Sequence, residues 1–95
     1  MALNKNLFST YFEYKDYNRC ISMLREEIVH ILVKRVQEKN SDYKYTTISN
    51  LKLACFKYLT EIEQEVSIEL YDFSFNEEAT EFELSRMMEL YKLIL

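Results

Sequence analysis

No glycine and no proline occur in these 95 residues, where average usage would place about eleven. A loop that cradles phosphate needs glycine backbone, and a dinucleotide fingerprint needs three glycines at fixed spacing, so nucleotide binding by those routes is excluded. Two-residue hairpins favour glycine at positive φ, which argues against a meander or sandwich. Histidine occurs once and cysteine twice. A zinc site of Cys/His composition therefore lacks ligands. A bundle-type carboxylate site would need two Glu-x-x-His pairs, and only Glu27-Ile28-Val29-His30 exists, so no metal and no cofactor are expected. His30 as base with Ser22 or Cys20 as nucleophile has no strained elbow or glycine-lined oxyanion site to support it.

Long apolar runs are missing as well. Nowhere do 18 apolar residues follow one another, and no charged stretch followed by an apolar one opens the sequence, so a soluble cytoplasmic protein without membrane contact is expected. Sixteen acidic against twelve basic side chains give a net charge of −4. That balance argues against nucleic-acid binding, which is driven by phosphate neutralisation. The nearest basic cluster, Lys34, Arg35 and Lys39, is interleaved with Glu26, Glu27 and Glu38 and reads as a solvated, ion-paired helix face. Cys20 and Cys55 sit on or beside apolar stripes and read as buried thiols rather than a disulfide.

What is present is helical periodicity. The spacing predicts an all-α antiparallel bundle of about four helices in a single domain, over residues 3–15, 17–39, 47–73 and 77–95. The first carries Leu3, Leu7, Phe8, Tyr11, Phe12 and Tyr14. Asp16 can cap the second, whose inward set is Tyr17, Ile21, Leu24, Ile28, Ile31 and Leu32. At about 1.5 Å per residue it would extend roughly 35 Å. Turn-forming residues cluster at Asn40 to Tyr45, and Thr46 or Thr47 can cap the third helix. Its stripe runs from Ile48 through Leu51, Cys55, Leu59, Ile62, Val66 and Leu70 to Phe73, with Glu61, Glu63, Glu65 and Glu69 outside. Ser74 to Glu77 has capping-box spacing, and Asn76 followed by two glutamates is a second possible start for the last helix.

That last helix presents Phe82, Met87, Leu90, Tyr91 and Ile94 inwards, and Leu84, Met88, Leu93 and Leu95 widen the arc. An apolar arc so broad suggests a second burial surface, so Leu84, Met88, Tyr91 and Leu95 are candidate partner-binding residues. Tyr43 and Tyr45, in the polar loop, are further candidates to anchor a partner.

The segment Tyr14-Lys15-Asp16-Tyr17-Asn18-Arg19-Cys20-Ile21, leading into a long helix with Arg25-Glu26-Glu27-Ile28, resembles the opening of HEPN-like domains, helical bundles of prokaryotic defence and toxin systems. The stretch Asp72-Phe73-Ser74-Phe75-Asn76-Glu77-Glu78, followed by Thr80 to Ile94, resembles the family's last turn and final helix. The resemblance implies a dimeric bundle of four to five helices, often paired with a nucleotidyltransferase. Active members are metal-independent ribonucleases with an Arg-x(4–6)-His motif, a spacing that Arg25 and His30 satisfy. Here, however, the pair lies on the second helix, whereas the family places it late in the bundle, and Tyr71 to Asn76 contains neither Arg nor His. Residues five apart on a helix also point about 140° away from each other. The resemblance thus implies a non-catalytic member.

The leading expectation is a small cytosolic helical interaction module, homodimeric, that binds a protein partner without catalysis. One alternative is a HEPN-type ribonuclease or toxin–antitoxin component using Arg25 to position phosphate and His30 as general acid or base. The other is an immunity or anti-defence inhibitor of phage or plasmid origin.

Overall fold

The structure, a computed structural model, describes residues 3–43, 47–73 and 79–95. Among them the chain forms five α-helices and no strand: α1 Lys5–Glu13, α2 Tyr17–Lys39, α3 Ile48–Leu53, α4 Glu61–Asp72 and α5 Glu81–Ile94, with a 3-10 turn at Phe56–Tyr58 between α3 and α4. The expected all-α bundle is found. The described helices start on side-chain caps of Asn, Asp and Thr, whose oxygens accept from the first-turn amides. Asn4 accepts from the Leu7 amide (3.1 Å), Asp16 from that of Arg19 (3.3 Å) and Thr47 from that of Asn50 (3.3 Å).

The turn from α1 into α2 shows how the missing glycine is replaced. Lys15 takes φ = 56°. Its amide donates to the Phe12 carbonyl (3.0 Å) and the Asp16 amide to that of Tyr11 (2.8 Å). These are the paired bonds of a Schellman ending, in which the left-handed residue is usually glycine. A side chain with a Cβ costs about 1–2 kcal/mol in that conformation. Asp16 closes α1 and caps α2 at once, so two helices meet with no slack between them.

The expected single helix over residues 47–73 is corrected. It is broken into α3, the 3-10 turn and α4, because Leu59 and Thr60 adopt extended backbone and Thr60 restarts the helix. The Thr60 hydroxyl accepts from the Glu63 amide (3.3 Å) and the Glu63 carboxylate accepts from the Thr60 amide (2.9 Å), a complete capping box. Gln64 donates to the carbonyls of Phe56 (2.9 Å) and Leu59 (3.1 Å), satisfying groups the break would leave bare. The expected caps at Ser74 to Glu77 lie outside the described residues. The last helix starts after Thr80, where Glu83 accepts from the Thr80 amide (2.8 Å).

Helix α2 is the central element, packed against α1, α3, α4 and most extensively α5. It buries Cys20, Ile21, Leu24, Ile28, Leu32 and Val36 at three-and-four spacing, against Leu51, Cys55, Leu59, Val66, Leu70, Leu84, Met87, Leu90 and Ile94. Cys20 and Cys55 are buried thiols and form no disulfide. Tyr17 faces Glu81 at one end, and the Arg35 guanidinium donates to the Ile94 carbonyl at the other. Helices α2 and α5 therefore run parallel, as alternate members of an up-and-down series do. Arg35 also reaches Glu63, so the start of α4 lies beside the end of α5 and the two run antiparallel, with Glu69 and Arg86 paired between them (2.5 Å).

Glu63 was expected on the outer face but is nearly buried, because the break at Thr60 rotates α4 relative to α3. Its carboxylate meets Arg35 at 2.5 Å. Burial pushes its pKa up, but the Thr60 amide, the Arg35 guanidinium and the Thr60 hydroxyl outweigh that and hold it below the ordinary value. Arg35, placed by sequence in a solvated basic cluster, is thus a clamp joining α2, α4 and the end of α5.

Candidate partner-docking surface

Helix α1 is strongly amphipathic, yet none of its residues is fully buried. Phe8 and Tyr11 pack half-buried on the core, while Leu7 and Phe12 remain more than 40% exposed. On its α5 side the helix faces a groove. Phe8, Phe12 and Met88 line one part of about 310 Å³, and Leu3, Phe8, Met88, Tyr91 and Leu95 line a second of about 220 Å³ floored by Leu24. Phe8 and Met88 belong to both parts, so they form one apolar channel between α1 and α5. The pairing of Leu3 with Leu95 and Phe8 with Met88 makes α1 antiparallel to α5. Glu13 borders one end of the channel and Lys92 the other.

The candidate partner-binding residues divide. Leu84 is corrected: it is 1% exposed and belongs to the core of this chain, because Leu84, Met87, Leu90 and Ile94 form the stripe that meets α2 and α4. Phe82, expected inwards, is 81% exposed. It stands two residues, or about 200°, from Leu84 on the helix. Met88 and Tyr91 are half-buried on the channel wall, and Leu95 is exposed at its mouth. Tyr43 is half-buried and packs on Tyr58, ring centroids 5.7 Å apart, covering the end of α2, where Asn40 donates to the Tyr58 hydroxyl (2.8 Å). Tyr45 lies outside the described residues. The α1 side of the channel, Leu3, Phe8 and Phe12, has in the sequence the spacing of an ordinary helix stripe. Its signal in the sequence was the pairing of a short first helix with an over-wide apolar arc on the last.

Arg25 and His30 lie on a different face. Despite their angular separation, both border one open groove of about 550 Å³, with Ser22, Glu26, Val29 and Ile48 also lining it. His30 stands on the ridge between this groove and another of about 370 Å³ that runs beneath Leu3 and Leu7. The first groove thus holds guanidinium, imidazole, hydroxyl and carboxylate over a floor of valines. Burial pushes the Cys20 thiol above its ordinary pKa, which makes it a poor nucleophile. Among the described residues no three His, Cys, Asp or Glu side chains gather as metal ligands would, and no helix is long and apolar enough to cross a membrane.

No known protein family matches the chain, and no curated protein or solved structure does so either. The HEPN-like resemblance therefore rests on the quoted motifs alone.

Proposed function

We propose that this chain is a small helical interaction module that receives an amphipathic helix of a partner protein in the channel between α1 and α5. The observation that carries the reading is the channel itself: an apolar trough, walled by Phe8, Phe12, Met88 and Tyr91, on a helix that leaves its stripe half-covered. Grooves of this kind take helices whose anchors recur at i, i+4 and i+7. Its length, set by the nine residues of α1, accommodates about two to three turns. Charge selects the direction. Glu13 at one end favours the positive N-terminus of a docked helix and Lys92 at the other its negative C-terminus, so the guest runs parallel to α5.

Selection of a displayed library of helical peptides against the folded chain tests this. Binders are expected to converge on apolar i, i+4, i+7 anchors, with basic residues in the first turn and acidic ones in the last, and to be lost with Met88→Glu. Convergence on another pattern, or binding that survives Met88→Glu, would refute it.

A second reading is favoured by one observation, the shared groove of Arg25 and His30. In it the chain is a metal-independent ribonuclease, Arg25 positioning phosphate and His30 transferring a proton. RNA cleavage by the wild type is then expected to fall at least a hundredfold in His30→Ala and Arg25→Ala. Equal cleavage in all three proteins removes it.

A further inference from the structure

Helix α1 lies on the surface of the bundle with none of its residues fully buried. It packs against α2 and is flanked by open grooves on both sides, one shared with Met23 and His30 and one with Met88. Besides Phe8 and Tyr11 packed half-buried on the core, its contacts among the described residues include the Cys20 thiol on the Phe8 carbonyl (3.7 Å), the Arg19 guanidinium over the Tyr11 ring (5.1 Å) and Phe12 edge-on to Tyr17 (6.2 Å). The connection is a tight turn with Lys15 in the left-handed region. Nothing in Glu13-Tyr14-Lys15-Asp16-Tyr17 forbids a helix, since the chain has neither glycine nor proline.

We infer that α1 exchanges between two copies of this chain. The turn at Lys15 straightens, α1 and α2 become one helix from Lys5 to Lys39, about 50 Å long, and α1 of each copy occupies the seat on α2 of the other. Every contact of α1 with its seat is remade with the second copy. The balance between closed monomer and exchanged dimer is then set by the hinge and by concentration. Straightening relieves the left-handed strain twice per dimer and replaces a turn by helical hydrogen bonds. Short strained hinges are the ones that swap. Because Phe8 pairs with Cys20, the two-fold axis falls near residues 14 and 15, bringing the two copies of Tyr14 together. That ring is 80% exposed in the closed chain.

Cross-linking decides the matter. Ser9 and Met88 border the same cavity from α1 and α5, so Ser9→Cys/Met88→Cys treated with a short bis-maleimide links them wherever α1 sits in that seat. The native cysteines are buried. At about 200 µM the exchanged dimer gives a product of doubled mass on a denaturing gel, and sedimentation reports a dimer. Adding Lys15→Gly, which favours the turn and disfavours the helix, is expected to raise the dimer dissociation constant at least tenfold and return the link to single-chain mass. Circular dichroism confirms that each variant is folded. A strict monomer at 200 µM, or a dimer whose link stays within one chain, overturns the inference.

Discussion

Arg35→Leu is the substitution whose cost is best determined by the structure. The Arg35 guanidinium holds the Glu63 carboxylate at 2.5 Å and also donates to the Ile94 carbonyl. The Glu63 side chain is 8% exposed, so without Arg35 it becomes a buried charge held, among the described residues, by the Thr60 amide and hydroxyl. Breaking a fully buried pair costs about 3–5 kcal/mol; here the Arg35 side chain is 33% exposed and the capping box survives, which brings the expectation to about 2–4 kcal/mol. A domain of this length is stable by about 5–14 kcal/mol. The loss is therefore a large share of the total and shows as a lower midpoint in urea with an unchanged slope. Replacing both partners, Arg35→Leu with Glu63→Leu, removes the stranded charge and is expected to recover at least half of the loss.

The same pair has a pH signature. Glu63 ionises below its ordinary value of 4.5 in the folded chain, so the folded state binds fewer protons than the unfolded one around that pH. Its contribution is complete above about pH 5 and disappears as pH falls through the lowered folded value. Arg35→Leu is expected to flatten this acid-side slope. A single variant that costs under about 0.5 kcal/mol, or that keeps the slope, would refute the claim that this pair clamps α2, α4 and α5.

Three other outcomes follow from the packing. Leu84→Ala should cost about 2–4 kcal/mol by thermal or urea unfolding, while Phe82→Ser on the outer strip stays within about 0.5 kcal/mol; equal effects would reverse the assigned faces of α5. Ser67 is fully buried and its hydroxyl has no hydrogen-bond partner among the described residues, so Ser67→Ala should leave stability unchanged or raise it by up to about 1 kcal/mol. A loss of 1 kcal/mol or more would mean the hydroxyl is satisfied. Thr60→Ala removes one half of the capping box and should cost about 1 kcal/mol, with faster hydrogen exchange concentrated at the first turn of α4; uniform acceleration across the chain would contradict a local cap.

Most of the helical content was readable because period and capping are local. Leu24, Ile28 and Leu32 recur at helical spacing, and Asp16 stands where a carboxylate must cap. The break at Thr60 was missed: Thr60-Glu61-Ile62-Glu63 has capping-box spacing, but an apolar stripe that continues across it conceals the interruption. Each piece keeps an inward face, so periodicity alone reports one long helix. Leu84 and Phe82 show the opposite difficulty. Five or more apolar residues on α5 leave several arcs open, and only the position of α2 and α4 selects the one through Leu84.

The candidate channel was half legible. Met88, Tyr91 and Leu95 could be read from the width of the apolar arc on α5. Their counterparts Leu3, Phe8 and Phe12 lie some eighty residues earlier, and no local pattern says that two amphipathic helices will leave a trough between them instead of closing it. Arg25 and His30 mark the same boundary. Their spacing sets a wide angle on the helix, whereas the groove they share is formed with Ile48 of α3.

The amino-acid sequence by itself determined that this chain is helical, that the described helices start on Asn, Asp and Thr caps, and that α1 must end without glycine. These follow from backbone sterics and short-range hydrogen bonds, which depend on neighbours a few residues away. Tertiary structure alone decided that Arg35 meets Glu63, that Leu84 is core and Phe82 is surface, and that α1 and α5 flank an open channel. Those outcomes depend on which faces of distant helices meet, a choice that many sequences of this periodicity leave open and that packing on α2 resolves.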